Sequence, residues 1–181
     1  MTDYEKEYQN KRNACGKPFT EFVEFIKHYN KESATVMDLG CGQGRDALFI
    51  ARKGHSVTAI DTAKTGISQM VDDAKNEGLK VEGIVNEIVD YIPEIKFDVI
   101  VIDRVLHMLP SDQQRNVILE KYAKAVNETG FILIADTPQN KNLIPGFFQK
   151  NPESWKIIKN KNCFIFAQKK CTEWIILLHK D

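Results

Sequence analysis

Apolar residues follow two alternating patterns along the chain: short unbroken runs, and longer stretches in which they recur with helical spacing. The unbroken runs are typical of buried β-strands, and helical spacing is typical of amphipathic α-helices. The predicted strands cover residues 34–39, 55–60, 81–85, 97–102 and 130–135. The predicted helices cover residues 19–29, 45–53, 65–78 and 111–126. This alternation is typical of right-handed βαβ units around a parallel sheet.

The pattern changes in the last forty or so residues. Residues 162–168 and 172–179 resemble two further strands, joined by only residues 169–171. A connection this short cannot make a parallel crossover, so it predicts an antiparallel hairpin at a sheet edge. Residues 140–151 include Pro145 and Gly146 and predict a loop or a cap over the sheet.

Length and composition indicate a folded domain with no strong preference for a charged partner. The 181 residues suit a single domain, and a hydrophobic content of 43% is too high for a disordered chain. The 25 basic and 25 acidic side chains cancel, so no global field attracts nucleic acid or an anionic membrane. Eight lysines against three acids in residues 141–181 favour a solvated face over an RNA surface.

Localisation and metal binding are predicted from the cysteines and the apolar runs. The four cysteines form no C-x-x-C pair, which predicts free thiols in a reducing compartment and no metal site. No run approaches the roughly 20 apolar residues that cross a bilayer. Residues 1–8 lack the apolar core of a signal peptide. We therefore expect a cytoplasmic protein without a membrane partner, either a monomer or a homodimer.

The most informative stretch is the glycine-rich turn between the first strand and the helix that follows it. Gly40, Gly42 and Gly44 form G-x-G-x-G, preceded by Asp38, whereas dinucleotide-binding turns have G-x-G-x-x-G. A carboxylate beside such a turn repels a pyrophosphate and attracts an ammonium or sulfonium group. Asp61 ends the second strand, and its two oxygens can accept both hydroxyls of a ribose. These residues predict a site for a positively charged nucleoside without phosphates.

Residues 36–46 resemble motif I of the class I S-adenosylmethionine-dependent methyltransferases, and Asp61 matches the acid of that superfamily that binds ribose. Together with Leu106–Leu109, they look like the tellurite-resistance, or TehB-like, branch of small methyltransferases. The resemblance covers roughly residues 20–179 and implies S-adenosylmethionine as cofactor and S-adenosylhomocysteine as product. With the patterns above, the predicted fold is α/β: a Rossmann-like three-layer sandwich with a mostly parallel seven-stranded sheet and an antiparallel C-terminal hairpin.

The resemblance also implies roles for individual residues. The implied cofactor-binding residues are Asp38, Gly40, Cys41, Gly42, Gly44, Asp61, Thr62, Asn86, Glu87, Ile88 and Asp103. Asp38 would face the methionine ammonium, residues 86–88 would contact the adenine, and Asp103 would lie against the methionine moiety. Glu87 departs from the family's usual aspartate, so a solvated charge is an alternative for it. For Asp103, the alternative is a local ion pair with Arg104.

Two further segments are candidates for catalysis and substrate binding. His107 follows the fourth strand, and an ordinary histidine pKa near 6.5 suits a general base at neutral pH; a packed structural histidine is the alternative. Tyr4, Tyr8 and Arg12 recur every four residues, which places them on one helical face. They make residues 1–17 a candidate lid, with a solvated helix or disorder as the alternative. Residues 140–155 are a candidate wall of the acceptor pocket.

The leading functional hypothesis is a methyltransferase that acts on a small molecule: a thiol, a chalcogen oxyanion or another metabolite. One alternative is a module that binds S-adenosylmethionine without catalysis. A nicotinamide-dependent oxidoreductase on a similar sheet is a second alternative, which the glycine spacing disfavours.

Overall fold

The computed structural model describes residues 3–161 and 164–171. Within these ranges the strands are β1 (Thr35–Leu39), β2 (Ser56–Asp61), β3 (Val81–Val85), β4 (Phe97–Asp103), β5 (Val126–Ala135), β6 (Trp155–Lys161) and β7 (Phe164–Lys169). The α-helices are α1 (Tyr4–Asn10), α2 (Thr20–Lys27), α3 (Arg45–Arg52), α4 (Lys64–Asn76), α5 (Asp112–Lys124) and α6 (Leu143–Gln149). Two 3₁₀ helices cover Leu106–Met108 and Pro138–Asn140.

The strands form a seven-stranded sheet in the order β3-β2-β1-β4-β5-β7-β6. The pairs β1–β2, β2–β3 and β4–β5 are parallel, whereas β7 runs antiparallel to both β5 and β6. Helices flank this sheet, as the alternating sequence pattern requires. The predicted fold, a mostly parallel seven-stranded α/β sheet with an antiparallel C-terminal pair, is confirmed.

The chain divides into two compact units, Met1–Ile92 and Pro93–Asp181. In the first unit, β1 to β3 carry α3 and α4. The β1 residues Val36, Met37 and Leu39 are completely buried, which explains the unbroken apolar run in the sequence. On β3, a Cβ at Gly83 would lie 2.7 Å from Val71 Cγ2 of α4, so a glycine is needed for this close helix–strand packing.

In the second unit, β4 is the most buried strand. Its central residues, Val99 to Ile102, have no exposed surface, as its unbroken apolar run predicts. The hydroxyl of Ser111 accepts a hydrogen bond from the Gln114 N–H at 3.2 Å and caps α5. No helix among the described residues is long and apolar enough to cross a membrane.

One strand of the predicted C-terminal hairpin is confirmed as β7. β7 overlaps the predicted strand at 162–168, but β6, directly upstream, pairs with it. The sequence of β6, WKIIKNK, lacks an unbroken apolar run because β6 is an edge strand with an exposed, lysine-rich surface. The other predicted strand, residues 172–179, lies outside the described residues.

Of the two alternatives for residues 140–151, the loop is wrong, because most of this segment is the helix α6. Ile144 and Phe148 lie four residues apart and are both buried, and the Phe148 ring packs edge-on against Trp155 at 5.2 Å. Pro145 lies in the first turn, where an N–H has no partner within the helix, so it does not break α6.

Candidate functional site

In the first unit, the glycine loop, residues 40–44, joins β1 to α3. The N–H groups of Gly40 and Cys41 both donate to the Ile60 carbonyl, at 2.8 and 3.0 Å, which holds the loop against the end of β2. Gly44 caps α3 with a φ of +78°, and a Cβ there would collide with a methionine of α4. Only glycine satisfies both the left-handed backbone and the close packing at this position.

Asp61 connects three parts of the first unit. Its carboxylate accepts one hydrogen bond from the Gly42 N–H and one from the Ala63 N–H, both at 2.8 Å. Its backbone carbonyl accepts from the Asn86 N–H at 3.0 Å. A carboxylate has about four lone-pair positions, and each Asp61 oxygen uses one of them in these contacts. Each oxygen can therefore accept a further hydrogen bond, as two ribose hydroxyls would require.

Asp38 is a buried carboxyl group with one unsatisfied oxygen. The residue is 2% exposed, and Oδ2 has no hydrogen-bond partner in the part of the chain that the structure describes. Burial, followed by the neighbouring Asp46 carboxylate, holds the pKa of Asp38 well above its usual range. An unpaired buried carboxyl oxygen is costly. A cationic group beside Asp38 would relieve that cost and favour its charged form.

The hydrogen bonds of the glycine loop disfavour a phosphate ligand. A pyrophosphate is normally bound by free backbone N–H groups at such a turn. Here the N–H groups of Gly40, Cys41 and Gly42 already have acceptors within the unit. The carboxyl groups of Asp38 and Asp61 add negative charge to the same region. The geometry therefore favours a cationic ligand, as the glycine spacing predicts.

Cys41 contributes packing at this turn. The residue is 8% exposed, and burial, followed by the charge of Asp38, raises the pKa of its thiol well above the ordinary value. The thiol is therefore protonated near neutral pH and is unsuited to a nucleophilic role.

The predicted adenine-contacting segment lies beside Asp61, because β3 pairs with β2 and places Val85 opposite Asp61. Residues 86–88 follow directly. Ile88 is buried, whereas the Glu87 side chain is exposed and its carbonyl accepts hydrogen bonds from two downstream N–H groups. Thr62 is exposed at the start of the next turn. The structure thus brings these sequence-predicted residues to one edge of the first unit.

The N-terminal segment, residues 3–15, packs against the glycine loop and α4. Tyr8 is 4% exposed, and its hydroxyl oxygen lies 2.5 Å from where a Cβ at Gly42 would be. The Gln43 side chain accepts from the Ala14 N–H at 2.7 Å and donates to the Lys11 carbonyl at 2.8 Å. Sequence reasoning missed this role of Gln43, because a loop glutamine carries no signal of a distant backbone partner.

The predicted common helical face of Tyr4, Tyr8 and Arg12 is wrong for Arg12. The helix α1 ends at Asn10, and Arg12 lies in the turn beyond it. Arg12 instead forms an ion pair with Asp73 of α4, in which its Nη2 lies 2.6 and 2.8 Å from the two carboxylate oxygens. Tyr4 and Tyr8 do share a face, with ring centroids 5.8 Å apart.

In the second unit, His107 is held by Asp136, which follows β5. The carboxylate of Asp136 accepts hydrogen bonds from the His107 backbone N–H at 3.1 Å, the Thr137 N–H at 2.7 Å and the Asn140 side-chain amide at 3.2 Å. The ring nitrogen Nδ1 of His107 lies 2.9 Å from the same carboxylate. A hydrogen on Nδ1 satisfies this contact, because a carboxylate oxygen accepts, and that tautomer leaves the lone pair of Nε2 available.

Asp136 is the main site candidate that sequence reasoning missed. The available signal was its position, since it directly follows β5 just as Asp61 ends β2.

Asp103, at the end of β4, forms an ion pair with Arg104 at 3.2 Å. This ion pair is the alternative that the sequence offered for Asp103. Its side chain is 5% exposed, whereas that of Arg104 is 53% exposed. In the described residues, no group of three or more His, Cys, Asp or Glu side chains could hold a metal ion.

The strand order, the G-x-G-x-G turn and the acid at the end of β2 are the pattern of the class I S-adenosylmethionine-dependent methyltransferases, a class whose cofactor is S-adenosylmethionine. A profile of the family described as "Tellurite resistance protein TehB" matches residues 1–147 of the chain. The chain therefore belongs to the TehB family, as the sequence resemblance predicts.

Solved structures and curated relatives agree with this assignment. The crystal structure of TehB from Haemophilus influenzae superposes with a TM-score of 0.72 at 20% identity, over 92% of this chain and 67% of that one. A ubiquinone biosynthesis O-methyltransferase from Rickettsia akari is 29% identical over 54% of this chain and 39% of its own length. A ribosomal protein L11 methyltransferase from Campylobacter lari is 26% identical over 99% of this chain and 62% of its own. The chain thus matches less than two thirds of either curated relative.

Proposed function

We propose that this protein binds S-adenosylmethionine in its first unit and methylates a small-molecule acceptor. The observation that carries the proposal is the pair of carboxyl groups at the glycine loop, Asp38 with an unsatisfied buried oxygen and Asp61 with acceptor capacity to spare. This arrangement suits a ligand that combines a positive charge with hydroxyl groups. S-adenosylmethionine has both, and it supplies an activated methyl carbon.

Each of these residues has a defined task in the proposal. Asp38 holds the ammonium of the methionine moiety, directly or through water, and Asp61 accepts the ribose hydroxyls. Residues 86–88 form the adenine side of the site, where Asn86 can pair with the amino group of the base. Gly40 and Gly42 leave room for the ligand beside the backbone. Asp103 is the proposed contact on the methionine side.

His107 is the proposed general base for acceptors that arrive protonated. Asp136 binds Nδ1 and so keeps Nε2 free to take a proton. The 3₁₀ helix that carries His107 is also anchored from α5, because the Arg115 guanidinium donates to the carbonyls of Leu106 and Leu109 at 2.9 and 2.6 Å. A base fixed in orientation and tautomer contributes more than a mobile one.

Residues 3–15 are the proposed lid of the cofactor site. They bind to the glycine loop through Gln43 and to α4 through the ion pair of Arg12 with Asp73. The buried Tyr8 ring contacts both Gly42 and Gly66, so its removal would loosen the same backbone that approaches the ligand.

The acceptor is proposed to be small: a thiol, a chalcogen oxyanion or another metabolite. The relatives differ on this point, since the name of the Rickettsia akari protein refers to ubiquinone biosynthesis and that of the Campylobacter lari protein to a ribosomal protein. The balance of 25 basic and 25 acidic side chains over the whole chain favours a small molecule over nucleic acid.

Calorimetric titration tests the cofactor. We expect S-adenosylmethionine and S-adenosylhomocysteine to bind and NAD not to bind. Asp61→Asn should weaken binding of S-adenosylhomocysteine at least about tenfold, or 1.4 kcal/mol. Asp72→Asn, at an exposed acid of α4, is the matched control and should bind as the wild type does. Binding of NAD alone would exclude the methyltransferase reading and favour the oxidoreductase.

Turnover of labelled cofactor with a panel of thiols, selenite, tellurite and phenols separates an enzyme from a binding module. His107→Gln should lower kcat about a hundredfold for acceptors that must lose a proton, because general bases contribute roughly 10²–10⁴-fold. Its affinity for S-adenosylhomocysteine should be unchanged. Cofactor binding without turnover of any acceptor would favour the non-catalytic module.

A further inference from the structure

The helix α4 begins just after Asp61 and lacks the usual features of a helix start. Its N-cap residue is Ala63, whose methyl group cannot accept a hydrogen bond, and its first turn contains no acid. The first residue of the helix, Lys64, adds a positive charge at the positive end of the helix dipole. The start of α4 therefore depends on acceptors and negative charge from other parts of the first unit.

Glu5 of the N-terminal segment supplies both at the second residue of α4. Its carboxylate accepts hydrogen bonds from the Thr65 N–H at 3.1 Å and from the Thr65 hydroxyl at 2.5 Å. The N–H at this position is one that the side chain of an N-cap residue normally binds. The same hydrogen bonds hold the pKa of Glu5 below its usual value, so its carboxylate is charged at neutral pH. Glu5 thus caps α4 from a distant part of the chain.

This capping contact is the first in a row of polar contacts along α4. Thr65, Gln69 and Asp73 recur every four residues and therefore lie on one face of the helix. The Gln69 side chain donates to the Tyr8 carbonyl at 3.1 Å, and the Asp73 carboxylate accepts from Arg12. The N-terminal segment therefore runs along this face, with the capping contact at the end of α4 that follows β2.

The first turn of α4 lies directly against the glycine loop. A Cβ at Gly66 would be 2.7 Å from the Gly42 carbonyl oxygen, which shows how closely the two backbones approach. Asp61 joins the same two elements, because its carboxylate accepts from the N–H groups of Gly42 and Ala63. A shift at the start of α4 therefore moves the hydrogen-bond partners of the acid that is proposed to hold the ribose.

We propose that Glu5 is a positioning residue of the cofactor site, which caps α4 and thereby fixes the start of that helix against Gly42 and Asp61. This inference rests on the proposed binding of S-adenosylmethionine in the first unit. Glu5 acts through Thr65 rather than by touching the ligand. The N-terminal segment thus does more than cover the site, because its docking completes the helix that holds the ribose-binding acid in place.

Hydrogen exchange and ligand binding, both measured on the full chain, test this role. Glu5→Ala should speed exchange of the Thr65 amide, followed by NMR, about fivefold, which is the usual scale for loss of an N-cap. In calorimetric titration, the same variant should bind S-adenosylhomocysteine about fivefold more weakly. Glu7→Ala is the matched control, since it removes an exposed acid from the same helix, and it should change both values less than about twofold.

Thr65→Val is the second variant, since it removes the hydroxyl that donates to Glu5 and preserves the shape of the side chain. It should weaken binding of S-adenosylhomocysteine about threefold. Combined with Glu5→Ala, it should bind within about twofold of Glu5→Ala alone, because both changes break the same contact.

A merely structural cap would change the exchange of the Thr65 amide and leave the affinity unchanged, so this result in Glu5→Ala would overturn the proposal. Exchange at the wild-type rate in Glu5→Ala, or effects on affinity that add up in the double variant, would overturn it as well. In each of these cases the wild type still binds S-adenosylhomocysteine and the proposed function stands. Absence of binding to the wild type overturns the proposed function, and the positioning role of Glu5 with it.

Discussion

Asp38 and Asp136 are both buried acids near the ends of strands, yet their hydrogen bonding is opposite. Asp38 leaves one carboxyl oxygen without a partner among the described residues, and its pKa is raised by burial. Asp136 is 6% exposed and accepts hydrogen bonds from His107, Thr137 and Asn140. A carboxyl group whose partners all come from the protein stabilises and orients its surroundings. A buried carboxyl group that lacks a partner lowers the stability of the protein, and a cationic ligand can supply that partner.

The largest expected effect comes from removing Asp136. Asp136→Ala leaves several buried donors without an acceptor, so the free energy of unfolding should fall by about 3–5 kcal/mol, as when one partner of a buried charged network is removed. Urea unfolding followed by circular dichroism measures it. Asp112→Ala removes an exposed acid that pairs with Arg115 and should cost less than about 1 kcal/mol. Equal losses in the two variants would contradict the role assigned to Asp136.

Asp38→Asn should change the free energy of unfolding in the opposite direction to Asp136→Ala. Removing a buried acid that lacks a full set of partners should raise the free energy of unfolding of the ligand-free protein by about 1–3 kcal/mol at neutral pH. The same change should weaken binding of S-adenosylhomocysteine at least about tenfold, because the ammonium loses its counter-charge. A loss of stability together with unchanged affinity would show that Asp38 is an ordinary structural acid.

The gain from Asp38→Asn should also depend on pH. The pKa of Asp38 is higher in the folded state than in the unfolded chain. Between these two pKa values the folded protein binds more protons than the unfolded chain. The stability of the wild type therefore falls as the pH rises through this range. The advantage of the variant should therefore be smallest below about pH 3.9, the ordinary pKa of an aspartate, and grow until the folded-state pKa is passed. Urea unfolding at a series of pH values measures this difference.

The smallest effect that we expect is on cofactor affinity, from a change in the N-terminal segment. Tyr8→Ala removes the ring that contacts Gly42 and Gly66, and it should weaken binding of S-adenosylhomocysteine about tenfold by freeing the glycine loop. Tyr4→Ala, which alters the same helix at a less buried position, should change affinity less than about threefold. Calorimetric titration provides both values. Equal effects, or none from Tyr8→Ala, would exclude the lid.

Local patterns predicted most of the fold, because they depend on neighbours in the chain. The apolar runs at β1 and β4 are recognisable from a few consecutive residues. Asp61 was recognisable beside the glycine loop because the ends of adjacent parallel strands lie at one edge of a sheet. Predictions failed for β6 and α6, where an exposed edge and a proline hide the usual periodicity.

By itself, the sequence predicted the mostly parallel sheet and the acids and glycines at the glycine loop, because these follow from the spacing of residue types. Its resemblance to a known family predicted the class of protein. The tertiary structure alone decided that Asp136 holds His107 and that Gln43 binds the N-terminal segment. These contacts join residues that are far apart in the chain or depend on atomic burial. A local pattern of residue types predicts neither which distant residues meet nor which atoms are buried.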